Sequence, residues 1–162
     1  MKMLDQSKIV VLPTEYRNVQ FRSRLEARWA VYFDMIGVKW QYEPEGYQLD
    51  CGNYCPDFLC EGGNFFVEVK PTTEALEIVK SKLRSLAKMT GKSVHCVVGP
   101  PSLDCQWGCN EEGEDMQGSV FCYYAFTHKG WGVPFYGESG DWLEEPYHHL
   151  ATNHRFNNGV AV

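Results

Sequence analysis

The chain has no surplus of positive charge: 15 Lys and Arg stand against 21 Asp and Glu, a formal net charge of -6 over 162 residues. A protein that coats nucleic acid passively gains affinity by neutralising phosphates with Lys and Arg, so this balance excludes that class. It does not exclude an enzyme that acts on phosphodiesters, because an acidic site that recruits divalent cations carries part of its positive charge as metal. A long hydrophobic run is missing too. The first residues, Met1 to Val11, include Asp5 and only a brief apolar stretch, unlike a secretory signal, and no segment reaches membrane-spanning length. Repeats and low-complexity tracts are absent. The seven cysteines are an odd number in a chain without an export signal, which points to reduced thiols and to the cytoplasm in place of a disulfide framework.

What is present is enough apolar material for one core. With 44% hydrophobic and 14% aromatic residues, the length accommodates a single domain over 1–162 and not two comfortable ones. Leu25, Trp29, Phe33 and Ile36 recur at helical spacing, so Ser23 to Ile36 reads as a helix ended by Gly37. Val38, Trp40 and Tyr42 alternate with polar residues as a strand, Tyr47 to Asp50 is a further extended piece, and Pro44-Glu45-Gly46 and Gly52-Asn53 read as turns. Cys55 to Cys60 and Phe65 to Lys70 flank Glu61-Gly62-Gly63-Asn64, a hairpin signal with glycines at its tip. Thr73 is a candidate cap for a second helix reaching about Thr90, with Leu76, Val79, Leu83 and Leu86 as its stripe, and Ser93 to Val98 is an apolar strand. The order from 23 to 98 is αβββαβ. A polar, acidic loop is expected over Ser102 to Gly118 and one more strand over Val120 to Phe126, followed by an irregular tail.

The hairpin brings two carboxylates together. Counting outward from its tip, Cys60 faces Phe65, Phe58 faces Val67 and Asp57 faces Glu68. Opposed residues on one face have Cβ atoms about 4.5–5.5 Å apart, and like charges there repel unless a cation lies between them. Oxygen ligands from one or two carboxylates, completed by water and phosphate, suit Mg²⁺. Lys70, two residues beyond Glu68, points from the same face and can set an ammonium beside the reacting phosphate. The bland alternative is a surface Glu68–Lys70 ion pair with Asp57 as a turn residue beside Pro56.

Ser23-Arg24-Leu25-Glu26, Tyr42-Glu43-Pro44, Cys55-Pro56-Asp57-Phe58-Leu59 and Phe66-Val67-Glu68-Val69-Lys70 together resemble the PD-(D/E)xK nuclease superfamily. The likeness is to its small stand-alone bacteriophage members and to the endonuclease subunit of heteromeric transposases. It covers residues 21 to about 98 and leaves an extension of 99–162 unmatched. The resemblance implies a restriction-endonuclease-like α/β fold with a mixed central sheet flanked by helices. It implies metal-dependent DNA hydrolysis, endo- or exonucleolytic, in the cytoplasm (of the host, if phage-encoded). Asp57 and Glu68 would ligate Mg²⁺ or Mn²⁺, and Lys70 would stabilise charge or position the attacking water. Glu26 matches the place of an additional carboxylate. Ser23-x-x-Glu26 is equally a capping box, in which the Glu side chain returns to the cap residue.

Arg22 and Arg24, beside Glu26, are the candidates for nucleic-acid contact, and Lys80, Arg84 and Lys88 form a second basic row at helical spacing. Cys51-x-x-x-Cys55 and Cys105-x-x-x-Cys109 would together supply four thiolates to a structural zinc. The spacing of His128, His148, His149 and His154 fixes no ligand set. Besides DNA, a homodimer or a partner protein is compatible with the sequence, whereas a membrane is not. The rivals to a nuclease are a catalytically silent binding or inhibitory protein of the same fold, and a zinc-stabilised module whose acidic loop, Glu111 to Asp115, mimics nucleic acid.

Overall fold

A computed structural model describes residues 11–101, 107–116 and 150–156. Its centre is a five-stranded mixed sheet in the order β3-β6-β7-β8-β9, formed by β3 (Trp40–Tyr42), β6 (Phe58–Cys60), β7 (Phe65–Lys70), β8 (Ser93–Val98) and β9 (Trp107–Cys109). Among the described strands only β7 and β8 run parallel. Helix α2 (Thr73–Thr90) makes the crossover between them, as a parallel pair requires. Two small antiparallel ribbons, β1 (Thr14–Tyr16) with β2 (Val19–Phe21) and β4 (Tyr47–Leu49) with β5 (Gly52–Tyr54), complete the strands among the described residues.

The period-2 alternation of β7 divides the core. Phe65, Val67 and Val69 face one way, into a cluster with Ala27, Trp29, Ala30 and Phe33 of α1 (Arg24–Met35). Phe66 faces the other way, into a cluster with Leu76, Leu83, Leu86 and Ala87 of α2. Since β7 is covered on both faces, its apolar residues are continuous, as a buried strand demands. Glu68 follows Phe66 in that alternation, which explains why a carboxylate ends only 2% exposed.

Several local expectations hold. Ser23 is the N-cap of α1, with the Glu26 N–H donating to Ser23 Oγ at 3.1 Å. The Glu61-to-Asn64 hairpin pairs Cys60 with Phe65 and Phe58 with Val67. Its tip takes positive φ at Glu61, Gly62 and Gly63 (52°, 69° and 102°), for which two consecutive glycines are the natural solution. Gly91 closes α2 in the left-handed conformation at φ 65°.

Other expectations need correction. The cap of α2 is Thr72, not Thr73: its extended backbone and its side chain, which accepts from the Ala75 N–H at 3.2 Å, leave Thr73 as the first helical residue. Gly52-Asn53 belongs to a strand, and the reversal falls two residues earlier, at Asp50-Cys51. The stretch read as a loop over 102–118 contains β9, paired with β8. After it Asn110 Oδ1 accepts from Glu112 N and Glu114 N to build a tight turn. Residues 120–126 and the tail beyond, except 150–156, lie outside the described residues. The β1–β2 hairpin consists of two three-residue strands, too short for an alternating pattern to mark them in the sequence. Its turn places Arg17 and Asn18 at φ 50° and 61°, a pair of left-handed residues whose twist suits a two-residue hairpin loop. No helix among the described residues is long and apolar enough to cross a membrane.

Candidate active site

The strand pairing of β6 with β7 stops at Phe58, so Asp57 leaves the ladder just where it would have faced Glu68. Its side chain takes over the missing backbone acceptor: the Val69 N–H donates to Asp57 Oδ2 at 2.8 Å, and the Asp57 N–H donates to Glu68 Oε2 at 3.2 Å. Two carboxylates are thereby brought side by side while both are buried, at 1% and 2% exposure. Phe58 fixes the position from beneath, packed among the rings of Phe33, Tyr42, Trp40 and Phe21 at centroid distances of 5.1, 5.5, 5.9 and 6.1 Å.

Two cations balance the pair. Lys70 Nζ lies 2.6 Å from Glu68 Oε1, and Arg22 Nη2 lies 3.0 Å from Asp57 Oδ1. The bland reading of Glu68 and Lys70 as an exposed surface pair is therefore incorrect, since the glutamate is almost fully enclosed. Arg22 also pairs with Glu43 at 2.6 Å, and its backbone N–H donates to the Tyr42 hydroxyl at 3.0 Å. That hydroxyl in turn donates to Glu26 Oε2. Only half of the expected capping box thus forms, with the Glu26 carboxylate held by Tyr42 in the neighbouring strand. Tyr42, which the sequence offers on a strand and within the Tyr42-Glu43-Pro44 stretch but with no role of its own, is thus a residue of the site.

Arg22, Arg24, Glu26, Asp57 and Lys70 line one cleft of about 520 Å³, and Glu68, bonded to the Asp57 N–H and to Lys70 Nζ, adjoins two of these lining residues. On the far side of Glu68 the Tyr54 hydroxyl is shielded from solvent without a well-formed hydrogen bond. Its pKa is pushed up by burial and by the neighbouring Glu68 carboxylate. No three His, Cys, Asp or Glu side chains among the described residues converge as a ready metal cage. Glu26 is accordingly not joined with Asp57 and Glu68 into a three-carboxylate cluster.

The electrostatics carry the mark of enforced like charge. Burial first, and then the Glu68 and Glu26 carboxylates, hold the Asp57 pKa well above the ordinary range, against the opposing pull of Lys70 and the Val69 N–H. For Lys70, burial works against the charged form, but Glu68 and Asp57 outweigh it and its pKa is raised. Because folding raises the Asp57 pKa, this group's stabilising contribution is complete below the unfolded value, near 3.9, and is lost as pH rises through the folded one. Asp57→Asn keeps an acceptor for the Val69 N–H and removes the charge. In metal-free protein at neutral pH it is expected to be neutral or stabilising by about 0.2–1 kcal/mol, the scale of cross-strand pairs. Chemical denaturation of both proteins across pH 4 to 8 should show the gap closing toward acid. A variant less stable than wild type throughout, with a constant gap, would contradict the repulsion.

The other candidates are placed elsewhere. Cys51 and Cys55 are exposed near the β4–β5 ribbon, Cys109 is buried with its thiol toward Leu83 O, and Cys105 lies outside the described residues. Of the second basic row, Arg84 pairs with Asp115 at 2.7 Å and Lys80 with Glu77. Both cations also lie over the Trp107 ring, so this face is already engaged. The same Arg84–Asp115 pair neutralises part of the acidic turn that a nucleic-acid mimic would present. Of the four tail histidines only His154 is described, and it packs against Tyr16 and Phe156. Comparison with models of protein families, with curated proteins and with solved structures finds no match to this chain.

Proposed function

We propose that the chain is a metal-dependent DNA nuclease of the PD-(D/E)xK type, built on a restriction-endonuclease-like core, with Asp57, Glu68 and Lys70 at its centre. The observation that carries the reading is the enclosed Asp57–Glu68 pair, which the fold builds at the cost of like-charge repulsion and bonds directly to Lys70. An arrangement that only served stability would be better made of apolar residues of the same volume. The donor chemistry fits a hard cation: Mg²⁺ takes one or two carboxylates and completes its shell with water and phosphate, so a three-residue cage is not required. Asp57 and Glu68 would hold it, with Glu26 at the lip of the cleft. Bound there, Mg²⁺ supplies Lewis-acid polarisation of the scissile phosphate and neutralises charge that builds in the transition state.

The protein's own groups divide the remaining work. The Val69 N–H fixes the Asp57 carboxylate, and Tyr42 orients Glu26. Lys70 presents its ammonium where negative charge develops on phosphate oxygens. Arg22 and Arg24 receive the flanking DNA phosphate, and Arg22, 61% exposed at its side chain, can exchange Asp57 for that phosphate.

One observation favours a second reading, a nuclease-fold binding protein without turnover: both buried carboxylates already have cationic partners in Arg22 and Lys70. The deciding experiment is a panel of labelled linear, nicked, branched and single-stranded DNAs incubated with Mg²⁺ or Mn²⁺, beside Asp57→Ala and a chelator control. Cleavage of at least one substrate, lost with chelator and with Asp57→Ala, is expected. Tight binding to DNA or to a protein partner with no cleavage of any member would establish the silent reading.

A further inference from the structure

Helix α1 separates two clefts. Arg24 and Arg28, one helical turn apart, line both the carboxylate cleft and a second one of about 400 Å³. The far wall of the second cleft is the segment 150–156, which contributes Thr152, His154 and Arg155. This wall is anchored: Ala151 is fully buried in the α1-side core, and Phe156 and His154 pack edge-on against Tyr16.

Three arginines therefore converge with no acidic side chain in the lining. The Nε atoms of Arg24 and Arg28 are shielded from water and have no hydrogen-bond acceptor among the described residues. A guanidinium N–H without an acceptor is costly, and this chain has acidic residues in excess with which it could have been paired. Elsewhere the chain does pair its arginines: Arg17 is matched to Asp34, Arg22 to Asp57 and Glu43, and Arg84 to Asp115. Like-charged guanidinium groups left together in a cleft fit an anion with several oxygens in a plane or tetrahedron, which their forked donors bind bidentately.

We propose that this second cleft is a phosphate subsite for the DNA strand, formed by Arg24, Arg28 and Arg155, which holds a backbone phosphate away from the one at Lys70. The inference rests on the nuclease reading and extends it by giving the 150–156 segment a part in substrate binding. Because Arg24 and Arg28 reach both clefts, one strand can run from the carboxylates across α1 without leaving positive charge.

The test is binding without cleavage. A fluorescein-labelled DNA duplex is titrated with the full chain in chelator, by anisotropy, over a range of salt concentrations. Wild type is compared with Arg28→Gln, Arg155→Gln and Lys88→Gln, the last an exposed cation of α2 outside the site. Each lost phosphate contact on duplex DNA lowers the steepness of log K against log salt by about 0.9. Arg28→Gln and Arg155→Gln should each show that loss, with several-fold weaker binding at low salt, while Lys88→Gln follows wild type. Arg28→Lys should restore most of the slope, which separates lost charge from a disturbed helix. Slopes for both glutamine variants equal to wild type, or no binding of the duplex by wild type, would overturn the subsite. The two claims fail separately: DNA bound through this cleft but never cut with Mg²⁺ removes the nuclease reading alone, and cutting with unchanged slopes removes the subsite alone.

Discussion

Lys70→Ala is expected to lower the rate of metal-dependent DNA cleavage by at least about 10²-fold, the usual consequence of removing one preorganised charge from a transition-state site. The ammonium lies 2.6 Å from Glu68 Oε1 as part of the cleft lining, largely buried, so its charge is screened less than in bulk water. The substitution also strands Glu68, at 2% exposure, without its cation. Removing one partner of a fully buried pair costs about 3–5 kcal/mol. Lys70 is 22% exposed, so the cost here falls below that range. Lys70→Arg separates the effects: it keeps the charge and the fold, but its planar fork cannot occupy the place of a compact ammonium, so activity should still fall. Single-turnover cleavage with thermal melts on the same preparations gives both numbers. Undiminished cleavage by a folded Lys70→Ala would remove the lysine from the mechanism.

Phe58→Ala should produce the largest loss of stability of any single change at the site, about 3–5 kcal/mol. Its ring is fully buried at the meeting point of β1–β2, β3 and α1, packed among the rings of Phe33, Tyr42, Trp40 and Phe21 within 6.1 Å. Phe58 directly precedes the end of the ladder, so the cavity would also release Asp57. Urea unfolding should report the loss, and the metal response of the residual folded protein should weaken with it. A loss under about 1 kcal/mol would show that the ring cluster does not anchor the carboxylate.

What the sequence made legible was local. Two consecutive glycines set the hairpin register, and the register carries Phe58 opposite Val67, so the neighbourhood of Asp57 and Glu68 follows from counting. The cap at Ser23 and the stop at Gly91 are legible for the same reason, since each depends on residues within one turn. Contacts over long separations were not legible. Arg22 meets Asp57 across 35 positions, and Tyr42 meets Glu26 across 16. Neither has a periodic or spacing signal, and together they decide that Glu26 is held by a tyrosine and that Asp57 has a guanidinium partner. The missed strands are three residues long, too short for alternation to register, and β5 begins with Gly52-Asn53, a pair that otherwise marks a turn. Arg155 and His154 reach α1 from a tail without periodicity, so only the folded chain brings them to the second cleft.

The central claim is that Asp57 and Glu68 share a divalent cation, and a thermal-shift titration tests it without knowledge of the substrate. A ligand that binds only the folded state adds RT ln(1 + [L]/Kd) to stability, about 2.7 kcal/mol at one hundred times Kd. Wild type should therefore rise steadily with Mg²⁺ or Mn²⁺ at constant ionic strength. Asp57→Asn should start level with wild type or above it and gain much less, so that the two curves cross. An Asn variant that starts clearly below wild type and climbs with metal in parallel would show that these carboxylates do not hold a common ion.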